Sequence, residues 1–397
     1  MTGSSFPASA PGRFNFGLSA AQEARAAKLH RESIVFDLLS QHAGGNIFAY
    51  YPKELQSEFR ETLAVVEKSA ALSEAVYWPF EMALQGKSDL VWEWFQQSGL
   101  TCGTFDIDLM MSGVSDLLSA DWDTKIVRYS ELPWLRYVTT AAQIRAAKDD
   151  GVLAMYANLQ PVIPAPRDIR AFETAYKRGL RSFMLTYNRM DHIGVGCTER
   201  VDAGLSAFGV DVVRYCNEIG LIVDVSHCGR LTTIDACRYS SEPVTANHTS
   251  SSSIYPHPRG KSDEELRAIA DTGGVIGVVD LPYFLCAEIA ASIEHMLNHI
   301  DYIAGLVGWR HVAIGTDWPL QAPDDVLLST IGTQAQKEQL GWSQRYRRDV
   351  TQRLNGYADC RDLPNITRGL VKRGYTDEQV QGIIGENALR VFEDICG

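Results

Sequence analysis

The sequence has few cysteines, and their spacing does not suggest covalent cross-links. Eight cysteines are scattered along 397 residues, and no CxxC pair occurs, which argues against a disulfide framework. The first ten residues have neither the charged region nor the apolar core of a secretory signal peptide. We therefore expect reduced thiols and a cytoplasmic protein.

Long apolar runs and positive charge are also scarce. The sequence has no stretch of about 18 consecutive apolar residues, the minimum for a membrane-spanning helix. Lysine and arginine total 37 against 49 aspartates and glutamates, which gives a net charge of −12 at pH 7. A nucleic acid or an anionic membrane would require a basic face on the protein. The composition therefore argues against both classes of partner.

Short apolar, β-branched runs that alternate with helical segments organise the chain. Such runs are typical of buried strands in a parallel sheet. The eight runs lie at residues 33–37, 99–107, 151–158, 180–187, 221–230, 243–250, 273–280 and 310–317. Eight strand–helix alternations predict an α/β protein with a TIM-type (β/α)8 barrel. We expect a flexible N-terminal tail over residues 1–20 and a single barrel domain over residues 21–397.

Two longer segments interrupt this alternation. Residues 38–98 are rich in tyrosine and tryptophan and too long for a simple barrel helix. They either cover part of the barrel mouth or form an ordinary pair of outer helices. Residues 318–362 are polar and irregular and follow the last predicted strand. We therefore expect loop excursions over the mouth, where barrel enzymes carry their active sites.

One histidine pair is interpreted as structural. His295 and His299 lie four residues apart on one face of a predicted helix. Such a pair can bind zinc, but position 296 is Met, where the HExxH motif has glutamate. His311 lies at the start of the eighth strand and hence at the opposite end of the barrel from the mouth.

Two neighbouring predicted strands end in histidine, and they carry the strongest functional signal. The fifth strand leads into His227 and the sixth into His248, with a helical segment between them. Consecutive strands of a βαβ unit present their C-terminal ends at the same sheet edge. A single histidine after a strand is more often a hydrogen-bonded structural residue. Two at matching positions favour a functional pair.

The mouth of the predicted barrel combines imidazole, carboxylate and amide groups. The polar side chains expected there are Asp37, Asn158, Tyr187, His227, His248, Asp280 and Asp317. Imidazole and carboxylate are preferred zinc ligands, and zinc suits amide hydrolysis because it activates water and polarises a carbonyl. Asp317 is either a metal ligand or general base, or a carboxylate that caps its loop. Asp224, inside the fifth strand, is interpreted as a buried, hydrogen-bonded residue.

Several motifs occur together in an order and spacing that resemble the renal (membrane) dipeptidase family. They are GLSAFG at 204–209, VRYCNEIGLIVDVSH at 213–227, PVTANH at 243–248, HPR at 257–259, SDEE at 262–265, GGVIG at 273–277, IGTD at 314–317 and GENALR at 385–390. The resemblance runs from about residue 30 to residue 397. The family consists of zinc dipeptidases with an amidohydrolase-type barrel, so the resemblance implies the same fold.

The resemblance also implies roles for individual residues. His227 and His248 match the two family histidines that bind one of two zinc ions. Arg259 matches the arginine that holds the substrate carboxylate, a task suited to its planar fork of donors. Asp317 matches the aspartate after the last strand, near the metal-bound water. The family further implies a homodimer.

Other family positions differ in this chain. The family's first strand ends in a His-x-Asp zinc-binding pair, but residues 37–41 read DLLSQ here. The bridging glutamate of the family appears as Asn158, and its substrate-contacting histidine appears as Tyr187. His42 would serve as a ligand only after a shift of three residues. We therefore expect at most one strongly held metal ion, with a metal-free site as the alternative.

The sequence thus predicts a metal-dependent hydrolase that cleaves a dipeptide or related small amide with a free carboxylate. Its reaction would use water activated by a single metal ion, expected to be zinc. His227 and His248 would bind the metal, Asp317 and Tyr187 would be catalytic, and Tyr187, Asn158 and Arg259 would bind substrate. Two alternatives stay open. One is a diverged barrel enzyme with non-peptidase chemistry on a specialised metabolite, and the other is a non-catalytic family member.

Overall fold

The computed structural model describes residues 11–40, 46–67, 70–107, 122–161, 166–317, 322–342 and 349–397. The strands within these ranges are β1 Cys102–Ile107, β2 Leu135–Tyr137, β3 Leu153–Leu159, β4 Leu180–Met184, β5 Ile222–Asp224, β6 Val244–Ser251, β7 Gly260–Lys261, β8 Ile276–Val278 and β9 Val312–Ile314. Each of these strands pairs in parallel with its neighbours.

Helices follow the strands along the chain and surround the sheet. The α-helices are α1 Ala20–Glu32, α2 Lys53–Val65, α3 Ala71–Leu84, α4 Leu90–Ser98, α5 Trp122–Tyr129, α6 Ala141–Asp150, α7 Arg170–Lys177, α8 Ala207–Ile219, α9 Arg230–Tyr239, α10 Asp263–Asp271, α11 Pro282–Leu285, α12 Ile293–Val307, α13 Asp324–Ser329, α14 Gln334–Gln339, α15 Pro364–Lys372, α16 Asp377–Gln381 and α17 Asn387–Cys396. Short 3-10 turns span Ile47–Tyr50, Trp309–His311 and Cys360–Asp362, and a π turn spans Gly382–Glu386.

The parallel sheet closes into a ring of eight positions. Its strand order is β1-β3-β4-β5-β6-β8-β9, with β2 on β3 and β7 on β6 as additions. The segment before α2 joins the two ends, because Phe36 bridges Cys102 of β1 and Asp37 bridges Ile314 of β9. All eight predicted strand positions are therefore occupied, in the predicted order. The (β/α)8 barrel prediction is confirmed.

Two helices begin at capping boxes, in which a Ser or Thr and a Glu or Gln three residues later bind each other's backbone amides. Ser262 and Glu265 form a capping box that begins α10, and Thr376 and Gln379 form another that begins α16. The longest described α-helix, α12, has 15 residues. A bilayer requires about 20 apolar residues in a helix, and no described helix is long and apolar enough to cross one.

The second half of the predicted N-terminal tail is anchored to the barrel. The Gly12 amide donates to Asp362 at 2.7 Å, and the Phe14 amide donates to Asn365 at 3.2 Å. Phe16 is buried against the core. Residues 1–10 lie outside the described residues, so a flexible tail remains a prediction for them.

Both predicted excursions contain helices of their own. Helices α2–α4 follow the first barrel position and enclose an aromatic cluster in which Phe48 stacks on Phe59 at 4.0 Å. Helices α13 and α14 follow β9. An ion pair of 2.7 Å between Arg60 of α2 and Asp325 of α13 joins the two excursions. The loop excursions of the predicted fold are therefore present.

Two glycines allow the strands beside the histidine-bearing strand β6 to approach closely. A Cβ atom on Gly315 would lie 1.6 Å from the Asn247 carbonyl oxygen, and one on Gly277 would lie 2.0 Å from it. Neither distance is compatible with any side chain. These glycines, in the GVIG and IGTD motifs, therefore set the position of the residue that precedes His248.

We expect Gly315→Ala to destabilise the protein, because the new methyl group must displace the backbone of β6. Overpacking of this kind costs about 1–3 kcal/mol or more. Gly305→Ala, within α12, is the matched control: its Cβ would meet nothing within 4 Å, and alanine favours a helix over glycine by about 1 kcal/mol. Urea denaturation would measure both. Equal stability of the Gly315→Ala variant and the native protein would contradict the packing argument.

Candidate functional site

The structure brings His227 and His248 together at the mouth of the barrel. His227 follows β5 and His248 lies in β6. Their Nε2 atoms are 3.0 Å apart and their ring centroids 5.0 Å apart. Their exposed fractions are 3% and 0%. The two strands that the sequence singles out therefore do present their histidines side by side, in an enclosed site.

Asp224 and Ser226 fix the backbone that leads to each histidine. One oxygen of Asp224 accepts hydrogen bonds from the amides of Ser226 and Asn247, at 2.9 and 3.0 Å. The Ser226 hydroxyl accepts from the His248 amide at 3.0 Å. Burial raises the pKa of Asp224, and these hydrogen bonds oppose that shift. The interpretation of Asp224 as a buried, hydrogen-bonded residue is confirmed.

Asn188 contacts the far side of the His227 ring. Its Oδ1 lies 2.7 Å from His227 Nδ1, and its Nδ2 donates to the carbonyl of Leu340 at 2.7 Å. A carbonyl can only accept, so the Asn188 amide must turn its Oδ1 towards His227. The proton on the neutral His227 ring is then on Nδ1. The lone pair on Nε2 faces His248.

Arg259 ties the ends of the two histidine-bearing strands together. It is 1% exposed. One terminal nitrogen donates to the Ser226 carbonyl and the other to the His248 carbonyl, the latter at 2.7 Å. Its guanidinium lies over the ring of Phe284, 5.5 Å from the centroid. No carboxylate among the described residues forms an ion pair with it.

A second buried cation, Lys261, binds the backbone on the other side of His227. The ammonium group of Lys261 donates to the Cys228 carbonyl and to the Thr233 hydroxyl, each at 2.7 Å. It also pairs with Glu265 at 3.3 Å. Because Ser226 and Cys228 flank His227, the two cations fix the peptide on both sides of this ring.

The predicted substrate-contacting residues occupy two different places. Tyr187 stacks on His227, with ring centroids 4.1 Å apart and an interplanar angle of 18°. Asn158 is buried, donates to Asp106 at 2.7 Å, and accepts from Asn247 at 3.3 Å. Tyr187 therefore contacts the histidine pair directly, whereas Asn158 contacts Asn247, the residue before His248.

Three aspartates follow neighbouring strands on the other side of the mouth. Asp37 accepts from the amides of Leu39 and Thr316, at 3.1 and 2.9 Å, and from the Thr316 hydroxyl. Burial, opposed by these hydrogen bonds, raises its pKa to about 6. Asp280 is 2% exposed, and its carboxylate oxygens have no hydrogen-bond partner in the described structure. Burial, then Asp317 and Asp37, raise its pKa well above the usual range.

Asp317 is the partly exposed member of the three. Its φ of 55° lies in the left-handed region, which aspartate tolerates better than most residues. Its amide donates to the Leu39 carbonyl at 2.8 Å. The turn thereby places its side chain beside Asp280, and of the three carboxylates it is the one not enclosed by the fold.

The histidine pair offers two of the ligands that a divalent ion would need. Zinc binds neutral imidazole, and burial, with Arg259 and Lys261 nearby, lowers the pKa of His248 well below its usual value. With its proton on Nδ1, His227 has an acceptor at Nε2, which lies 3.0 Å from Nε2 of His248. No group of three or more His, Cys, Asp or Glu residues that could hold a metal occurs in the described ranges. His42, the shifted candidate ligand, lies outside them.

The remaining singled-out histidines are structural, as interpreted from the sequence. His299 accepts a hydrogen bond from the Ser251 amide at 3.0 Å, and its other nitrogen lies 3.0 Å from the Leu285 carbonyl. His295 completes the capping box of Ser292 at the start of α12. His311 lies 2.9 Å from the Gly274 carbonyl, at the start of the strands.

The sequence analysis missed Asn188 and Lys261. Asn188 directly follows Tyr187 at the end of the fourth strand, so an amide beside a singled-out residue was the available signal. Lys261 offered no such signal, since a lysine two residues after Arg259 looks like a surface residue until its burial is seen.

Comparison with known proteins identifies relatives along nearly the whole chain. Residues 24–326 and 331–396 match the model of the family described as membrane dipeptidase (peptidase family M19). Over 271 residues, the chain is 30% identical to an uncharacterized protein in the pqqA 5' region of Klebsiella pneumoniae; the match covers 66% of this chain and 89% of that protein.

Two further relatives have more descriptive names. Dipeptidase verJ of Clonostachys rogersoniana is 25% identical over 274 residues, which cover 68% of this chain and 62% of that protein. A solved structure of an amidohydrolase from Pseudomonas aeruginosa superposes with a TM-score of 0.69 at 27% identity, over 94% of this chain and 99% of that one.

We expect Asp280→Asn to stabilise the protein at pH 8. Because burial and the neighbouring Asp317 and Asp37 raise the pKa of Asp280 in the folded state, this group's contribution to stability falls as pH rises above the unfolded pKa of about 3.9. The neutral amide removes that dependence. Thermal midpoints at pH 5 and pH 8 should show a gain of a few degrees that is larger at pH 8.

Asp325→Asn is the matched control for this measurement. Its pKa is lowered by a hydrogen bond from Arg60, so its loss should not stabilise the protein at pH 8. A lower midpoint for Asp280→Asn than for the native protein at pH 8 would show that Asp280 is held ionised by a partner.

Proposed function

The chain belongs to the membrane dipeptidase family, whose members hydrolyse peptide or amide bonds, and from that premise we propose a narrower function. The protein cleaves a dipeptide or a related small amide that carries a free carboxylate. It works with one divalent ion, which we expect to be zinc.

The observation that carries this proposal is a buried, unpaired cation next to the histidine pair. Arg259 donates to the His248 carbonyl and has no ion-pair partner among the described residues. Its terminal nitrogens bind backbone carbonyls rather than a carboxylate, and a substrate carboxylate that binds there would add a charge-assisted hydrogen bond. A substrate carboxylate at Arg259 would bring a neighbouring amide bond close to His227 and His248.

His227 and His248 would hold the metal ion. A bound divalent ion would supply a Lewis acid that polarises the scissile carbonyl and lowers the pKa of water. The protein's own contribution is to hold the two Nε2 atoms 3.0 Å apart in a buried setting. Described side chains provide no third ligand of the usual kinds, which supports one ion rather than two.

Asp317 and Tyr187 would be the catalytic residues. Asp317 is the accessible carboxylate of its group and would accept a proton from the attacking water. Tyr187, stacked on His227, would donate a hydrogen bond to the substrate or to the oxyanion that forms from it. Asn158 would bind substrate less directly, since Asp106 and Asn247 already engage its amide.

A diverged reaction on the same barrel is the second candidate. The described residues lack a site with three or more usual metal ligands, and Tyr187 occupies the position of a family histidine. A panel of dipeptides would separate the two candidates. Turnover of several dipeptides supports the first, whereas turnover of none by metal-loaded protein supports the second.

We also propose a cytoplasmic homodimer. All eight cysteines, each within the described ranges, are free thiols, as expected in a reducing compartment. Sedimentation of the purified protein would test the dimer, and a monomer at micromolar concentration would contradict it.

Two variants should separate metal binding from proton transfer. His248→Ala should lose the divalent ion and the activity together, because one imidazole remains. Asp317→Asn should keep the ion but lose about 10²–10⁴-fold in kcat, since a general base contributes that much; asparagine also tolerates the left-handed backbone. Elemental analysis and dipeptide hydrolysis would measure both. Full metal content in His248→Ala would contradict the assignment of the ligand.

The proposed role of Arg259 predicts a dependence on the substrate carboxylate. Arg259→Lys should raise KM for a dipeptide by about tenfold or more, since loss of a buried charge pair costs about 2–5 kcal/mol. Amidation of the substrate carboxylate should have a similar effect on the native enzyme and little further effect on the variant. Arg230→Lys, at an exposed ion pair with Glu264, is the control. Equal cleavage of free and amidated substrates by the native enzyme would contradict this role.

A further inference from the structure

The histidine pair can bind a cation only in one protonation pattern. Neutral histidine carries its proton on either Nδ1 or Nε2, and the bare nitrogen is the one that binds a metal. With the two Nε2 atoms 3.0 Å apart, a proton on one of them would form an N–H···N hydrogen bond to the other. Both Nε2 atoms would then be engaged in a hydrogen bond with each other rather than with a metal ion.

Asn188 determines the pattern for His227. The amide is fully buried, and its two polar atoms have different partners. Nδ2 donates to the Leu340 carbonyl and Oδ1 faces His227 Nδ1, both at 2.7 Å. Reversal of the amide would place an N–H group against Nδ1 and two oxygens against each other at Leu340. Both contacts therefore select the same orientation.

The backbone of Asn188 is held as firmly as its side chain. Its carbonyl accepts from the amide of Thr198 at 3.1 Å and from the Thr198 hydroxyl at 2.9 Å. The thiol of Cys197 donates to its Oδ1 at 3.5 Å. These contacts leave the side chain little freedom to follow a displaced His227.

The Leu340 carbonyl comes from the excursion after β9 and is anchored on both sides. Before it, Arg189 donates to the Glu338 carbonyl. After it, the ring of Trp342 stacks on Phe284 with centroids 5.5 Å apart. Phe284 also carries the guanidinium of Arg259. The excursion after β9 therefore contacts Asn188, which lies against His227. Through Phe284 it is also linked to the buried cation Arg259.

We propose that Asn188 is a positioning residue that places the proton of His227 on Nδ1 and so prepares Nε2 to bind the metal ion. The proposal rests on the function proposed above, in which His227 is a ligand. Hydrogen bonds to the second nitrogen of a metal-binding histidine fix its tautomer and ring orientation, and their loss weakens metal affinity about 10–100-fold.

Two substitutions at one position separate this role from a merely structural one. Asn188→Ala removes both hydrogen bonds. Asn188→Asp removes the donor to Leu340 but keeps an acceptor for the His227 Nδ1 proton. A structural role predicts that both variants are impaired alike, because both lose the contact with Leu340. A positioning role predicts that the aspartate variant retains the native tautomer and metal affinity.

The first readout is the tautomer itself, from long-range proton–nitrogen NMR of the metal-free, full-length protein with labelled histidines. His227→Gln identifies the signals of His227. We expect the proton on Nδ1 in the native protein and in Asn188→Asp, and a shift towards Nε2 in Asn188→Ala. A native His227 with its proton on Nε2 would overturn the proposal, even if Asn188→Ala does not fold.

The second readout is the dissociation constant for Zn²⁺, measured by competition with a chelating dye. We expect about a 10–100-fold increase for Asn188→Ala and an unchanged value for Asn188→Asp. Asn387→Ala is the control: Asn387 also bonds to backbone carbonyls, those of Trp309 and Val312, but at the start of β9. It should lower stability without changing zinc affinity.

The two readouts distinguish failure of the inference from failure of the proposed function. A native protein that binds no zinc, yet holds His227 with its proton on Nδ1, contradicts the function and leaves the positioning role intact. Native zinc affinity and an unchanged His227 tautomer in folded Asn188→Ala would overturn the positioning role and leave the function intact.

Discussion

The mouth of this barrel depends on two buried cations that hold backbone carbonyls. Arg259 binds the carbonyls of Ser226 and His248, and Lys261 binds that of Cys228. Buried charge is tolerated only where it is hydrogen-bonded or paired. By satisfying that requirement with carbonyls on both sides of His227, the protein places one imidazole against the other. The fixed peptide around His227 positions its ring for the stacking with Tyr187 and for the contact with Asn188.

The side of the mouth opposite the histidine pair carries three aspartates. Asp37 ends the first barrel position, and its oxygens accept hydrogen bonds from Leu39 and Thr316. Those hydrogen bonds join the first barrel position to β9 and set the turn into Asp317. Asp280 is enclosed without a hydrogen-bond partner among the described residues, which favours its neutral form. Of the three carboxylates on this side, only that of Asp317 belongs to a partly exposed residue.

Much of the fold followed from local patterns in the sequence. The eight apolar runs, their order and both capping boxes correspond to observed elements, and the runs ending in His227 and His248 lie next to each other as expected. The strand lengths were less predictable. Strand β5 spans only Ile222–Asp224, because the Asp224 side chain turns the chain by binding the amide of Ser226. The short strands β2 and β7 carry no periodic signal of their own and form only on the edge of β3 and β6.

The sequence by itself determined the barrel and the two histidines at neighbouring strand ends. These are properties of residue type, spacing and order. Tertiary structure alone decided how the histidines are used. Asn188 meets His227 across 39 residues and Leu340 across 152, and Arg259 meets the carbonyls of Ser226 and His248 from a third segment of the chain. Tautomer and charge compensation depend on contacts between distant segments, and those contacts arise only when the barrel closes.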